Sequence, residues 1–138
     1  MRDIAHEVAT KTAIFPQVAS GEATAINGIT IDRNGFYGAI FAVGLGNTSG
    51  TPTRFGITFK VQQKSGETDW VDVSGKSITF SGETVANQGR LSGEINVDLK
   101  SLARYVRCVA TPTFTAGSSP KVEIAATVVL GEASVEPV

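Results

Sequence analysis

Apolar and polar residues alternate along most of this chain. Phe55, Ile57, Phe59 and Val61 share one face, while Thr58, Lys60 and Gln62 share the other. Ile95, Val97 and Leu99 alternate with Asn96, Asp98 and Lys100, and Val122, Ile124, Ala126, Val128 and Leu130 line one side of the last run. A period of two belongs to strands with one face in a core and the other in water. Pairs such as Asn27-Gly28, Asn34-Gly35, Ser49-Gly50, Ser65-Gly66, Ser74-Gly75, Ser81-Gly82 and Ser92-Gly93 punctuate these runs and read as turns. No window keeps helical periodicity over three turns; Ile4–Ala9 is the best short candidate, and Ser101–Ala103 reads as a single turn. The spacing predicts about eight strands, over 11–18, 22–32, 36–46, 54–64, 69–73, 77–86, 94–99, 104–114 and 121–130, with one of these split or lost.

The expected fold is all-β: one antiparallel β-sandwich domain over 1–138, jelly-roll-like, with an N-terminal arm at 1–11 and a C-terminal tail at 131–138. One run departs from the alternation. Phe36 to Leu45 is apolar on both faces, which predicts a central strand covered on both sides, or one whose outer face meets another subunit.

Composition narrows the function classes. A net charge of −1 gives no surplus of Lys and Arg to neutralise phosphates, so no direct binding of nucleic acid is expected. No apolar run is long enough to span a bilayer, and Met1 to Glu7 is polar where a signal peptide needs its apolar segment. A protein made and kept in the cytoplasm is expected, with no membrane partner. Cys108 is the only cysteine, and alternation points it inward beside Val106 and Ala110 as a small buried residue rather than a reactive thiol.

Catalytic constellations are hard to assemble from these residues. The only histidine is His6, in the expected arm, and a nucleophile–base pair or a zinc site needs more His or Cys than the chain has. Asp69, Asp72, Glu83, Glu94 and Asp98 are scattered over polar faces and turns, which suits a solvated surface better than paired carboxylate chemistry. Gly44 to Gly50 is glycine-rich but lacks the Lys-Ser and helix of a phosphate loop. No enzyme and no cofactor are expected. Trp70, opening a strand after the Gly66 turn, reads either as a plug for one end of the core or as a platform for a sugar ring. The lack of neighbouring exposed aromatics favours the plug.

The order of motifs carries a resemblance. An Asp-Ile-Ala start is followed by Thr24-Ala-Ile-Asn-Gly-Ile-Thr-Ile-Asp32 and the two-faced Gly35-Phe-Tyr-Gly-Ala-Ile-Phe-Ala-Val-Gly44. Then come the Phe59 to Val73 hairpin with its Trp-Val-Asp-Val, Arg104-Tyr-Val-Arg107, and a closing Val128-Val-Leu-Gly131 with a Pro-Val terminus. Together these resemble small virion structural proteins of tailed bacteriophages, of the kind that decorate or cement the head. The resemblance implies a nonenzymatic, jelly-roll-like subunit, dimeric or trimeric, bound to the major capsid protein on the outer shell of the virion. Extended ends suit such a role, because an arm can add to a neighbour's sheet edge. The candidate contacts are Ile4, Val8, Phe36, Tyr37, Ile40, Val135 and Val138. A head–tail connector or tail-completion protein is the nearest alternative, and a carbohydrate-binding module using Trp70 is the alternative of another class.

Overall fold

The β-branched and aromatic runs form strands, and their apolar faces meet. In a computed structural model of the chain, residues 8–21, 24–66, 69–84, 86 and 88–133 are described. Their strands are β1 (Ala9–Ser20), β2 (Ile26–Asn27), β3 (Ile31–Asp32), β4 (Phe36–Ser49), β5 (Arg54–Lys64), β6 (Val71–Glu83), β7 (Leu91–Asp98), β8 (Tyr105–Thr115) and β9 (Lys121–Ala133). One sheet has the order β1-β9-β4-β7; the other runs β2-β8-β5-β6, with β3 also on β8. Every pairing is antiparallel. If β2 and β3 are counted as halves of one strand, this is the four-plus-four order of a jelly roll, in which successive strands cross between two facing sheets except at the β5–β6 hairpin.

The core is the sum of the inward positions of both sheets. Phe41, Phe55, Phe59, Ile14, Ile57, Val61, Leu99, Val106 and Leu130 are all fully buried. Each such side chain contributes about 1.5–3 kcal/mol when withdrawn from water. Cys108 lies among them as expected, and burial pushes its thiol pKa up to about 12.

Several boundaries move, each for a physical reason. The expected strands 69–73 and 77–86 are one strand, because Ser74-Gly75 makes a bulge instead of a turn. Lys60 pairs with Ser77 and Gln62 with Asp72, so Val73 to Lys76 stand opposite Val61 alone. Gly75 takes the left-handed φ of +74° that the bulge requires. The expected strand 22–32 survives as two short pieces around Gly28. There the Gly28 N–H donates to the Cys108 carbonyl at 2.7 Å and the Ile29 N–H donates to the Ala13 carbonyl at 2.8 Å, so one residue step ties the two sheets together. The expected turn at Ser101–Ala103 lies slightly earlier, as a 3-10 turn over Leu99–Ser101 capped by the Asp98 side chain. β1 takes in Ala9 to Lys11 and β9 takes in Gly131 to Ala133, so the strands extend into the segments assigned to arm and tail. Apart from Val8, the rest of both segments, including Ile4, His6, Val135 and Val138, lies outside the described residues.

Candidate docking surface

Alternation decides what the first sheet shows to solvent. Because Ala39, Phe41, Val43 and Leu45 are buried, β4 turns Gly38, Ile40, Ala42 and Gly44 outward. Their partners on β9 are Gly131, Val129, Thr127 and Ala125. Two adjacent central strands thus present a flat band with no charge, bordered by Thr10 and Thr12 on β1 and by Glu94, Asn96 and Asp98 on β7. The two-faced run is therefore central, as expected, but covered on its inner face alone. Ile40, at its middle, is 39% exposed.

At one end the band opens into a groove of about 610 Å³, lined among others by Val8, Tyr37, Ile40, Lys76, Asp98 and Lys100. The Lys100 ammonium lies 5.6 Å from the Tyr37 ring centroid and steadies the groove wall. At the other end a second groove is lined by Pro16, Val18, Gly46 and Glu123. Beside it the irregular stretch of β1 exposes Phe15 and Val18. Pro16, on this outermost strand, removes a backbone donor and blunts the edge against further pairing.

The structure brings Val8, Tyr37 and Ile40 to one groove. Phe36 is half-buried and packs against the core instead. Sequence reasoning missed Val129, Gly131 and the charged rim of Lys76, Asp98 and Lys100. A usable signal for the first two lay in β9, whose outward positions from Ala125 to Gly131 carry no charge where a wet face normally does.

The opposite sheet holds a correction. Trp70 is not a core plug; it is half-buried on the outer face. The Arg107 guanidinium carbon sits 4.3 Å from its ring centroid and the Lys64 ammonium 5.3 Å. Arg107 Nε donates to Gln62 Oε1 at 2.9 Å, and Gln62 Nε2 donates to Asp72 Oδ1 at 2.8 Å. Lys60 pairs with the same carboxylate at 3.2 Å. The Gln62 and Lys60 donors together hold the Asp72 carboxyl below its ordinary pKa. Nearby, Arg104 grips Asp32 as a fork, Nε to Oδ1 at 3.1 Å and Nη2 to Oδ2 at 2.8 Å, which lowers the Asp32 pKa. Among the described residues no group of three or more His, Cys, Asp or Glu side chains comes together to hold a metal. No described helix is long and apolar enough to cross a membrane.

No protein-family model matches this chain, and no curated protein does. Solved structures are similar to it. The VP2 subviral particle of infectious bursal disease virus superposes with a TM-score of 0.52 at 9% identity, covering 92% of this chain and 33% of that one. The structure of the Gx strain of the same virus gives 0.49 at 9% identity, over 93% and 32% of the two chains. A Bacillus endospore appendage, from a family of disulfide-linked pili, gives 0.42 at 14% identity, over 91% and 88%. This chain therefore spans about a third of the viral proteins it matches.

Proposed function

We propose that this chain is a nonenzymatic virion structural protein of the head-decoration or capsid-cement type, and that it docks through the outer face of its first sheet. The observation that carries this reading is the uncharged band around Ile40, bare in the monomer and flanked by a groove at each end. A flat apolar band with a polar rim is what a protein interface needs at its centre. The jelly-roll likeness to a viral particle protein supports the same class of role. The motif order described above favours a tailed-phage head over other virions. Its partners in this reading are the major capsid protein of the same phage and further copies of itself, as a dimer or trimer. The terminal segments holding Ile4, Val135 and Val138 serve as arms on neighbouring subunits.

Co-sedimentation with capsids that lack the native protein tests this. The intact chain should pellet with expanded shells. Ile40→Asp should weaken binding at least about tenfold, because it places a charge at the centre of an apolar contact. Thr113→Asp, on the outer face of the other sheet, should bind as the parent does. Circular dichroism checks that both variants keep the β-rich fold. Failure of the intact protein to bind overturns the decoration reading. Full binding by Ile40→Asp overturns this choice of face.

A further inference from the structure

The second sheet carries four cations near one end of its outer face, and they fall into two kinds. Lys60 and Arg104 each pair with a carboxylate of this chain, Asp72 and Asp32. Lys64 and Arg107, the two that approach Trp70, pair with no carboxylate among the described residues. We infer that Arg107 and Lys64, arranged around Trp70, form a binding site for a carboxylate side chain on an extended acidic peptide segment of a partner protein.

Arg107 is held ready for such a ligand. Asp72 can only accept, so it draws the amide nitrogen of Gln62 and turns Gln62 Oε1 toward Arg107 Nε. The guanidinium is thereby fixed from one side by a hydrogen bond and stacked on an indole at 4.3 Å. Among the described residues none accepts from its two Nη groups, the fork that matches a carboxylate in bidentate geometry. A fork already fixed loses little freedom on binding. Both Lys64 and Arg107 are half-buried, so each is partly desolvated without the opposite charge that would offset it. The lowered pKa of Arg107, caused by burial, agrees with that state.

The same geometry selects the class of partner. The Trp70 ring is engaged by two cations, which disfavours the stacking of a neutral sugar on it. A nucleic acid needs a track of uncompensated cations, and the flanking Lys60 and Arg104 are already neutralised. β6, whose Asp72 orients the fork through Gln62, is the outermost strand of this sheet, so an extended peptide can lie along its free edge. An Asp or Glu side chain of such a peptide is the ligand that the Arg107 fork matches. This inference does not rest on the decoration reading.

Trp70 is the only tryptophan in the chain, so its fluorescence reports on the site directly. The probe is a capped hexapeptide of alternating Glu and Val, titrated at low salt, with calorimetry giving affinities that do not depend on emission. The expected result is a saturable change in Trp70 emission that weakens with added salt. It should be lost with the Gln-for-Glu peptide and weakened at least about tenfold by Arg107→Gln and several-fold by Lys64→Gln. No saturable binding at millimolar peptide overturns the proposal, as does unchanged affinity in both variants. Binding of polygalacturonate in place of the peptide overturns it in favour of an acidic glycan. Glu67 follows Gly66 in the sequence and lies outside the described residues. If only the Glu67→Gln variant binds the peptide, the chain fills its own site and the proposal falls.

Discussion

Gly28 and Ala13 approach so closely that no side chain fits between them. A Cβ on Gly28 would lie 2.5 Å from the Ala13 carbonyl oxygen, with the Cys108 carbonyl oxygen crowding it from the other sheet. The seam between the two sheets therefore depends on a missing methyl group. Gly28→Ala should destabilise the fold by about 1–3 kcal/mol, the usual cost of overpacking. Gly44→Ala is the control: its Cβ would meet nothing nearer than the Leu91 carbonyl at 3.9 Å, so its effect should stay within about 0.5 kcal/mol. Urea denaturation of the two variants separates them, and equal losses would show that the seam tolerates a side chain.

Phe59 has no exposed surface, whereas Lys60 beside it faces solvent and an exposed partner, Asp72. Phe59→Ala should cost about 3–5 kcal/mol through lost burial and a residual cavity. Lys60→Ala should cost a small fraction of that. Denaturation midpoints at constant slope would show it; similar losses would mean that the register of β5 is shifted by one residue.

These two residues also show why much of the fold is legible in the chain. One face of β5 is buried and the other is wet, so the period of two reports the geometry directly, and the same holds for β7 and β9. Where a glycine acts through space, the sequence is ambiguous. Asn27-Gly28 and Ser74-Gly75 look alike as text, yet one is a close approach between sheets and the other a left-handed bulge. The docking groove draws Val8, Tyr37, Asp98 and Val129 from four distant stretches, and the Trp70 site joins β8 to the β5–β6 hairpin. Cross-strand register makes those neighbours, and no local pattern encodes it.

Cys108 should be chemically silent in the native state. Its thiol is fully buried, and burial raises its pKa to about 12. The thiolate is the reactive form. Iodoacetamide at neutral pH should label it only as fast as the fold opens, and rapidly in urea. A folded pKa raised above the unfolded one gives stability that is complete below the unfolded value of 9.0 and is lost as pH climbs through the folded one. Unfolding titrations should therefore show weakening from about pH 9 toward pH 12. Fast labelling of native protein would mean that the core around Val106 and Ala110 is open.

The Asp32 carboxyl is lowered chiefly by its hydrogen bond from Arg104. A lowered folded pKa gives stability that is present above the unfolded value of 3.8 and lost as pH falls through the folded one. Arg104→Gln should move the Asp32 titration, followed by carboxyl NMR, up toward that ordinary value. It should also flatten the acid limb of the stability profile below about pH 4. An unmoved titration would mean that the fork is not formed in solution.

The pairing of β1 with β9 sets an order of events in time. Ala9 lies opposite Leu130, so the first described strand finds its partner almost a whole described chain later. Loop closure over that span is costly before any contact repays it. A growing chain therefore carries β1 without its neighbouring strand until β9 has been made. During synthesis the exposed edge belongs to the strand that holds Pro16, the residue least able to join a stranger's sheet.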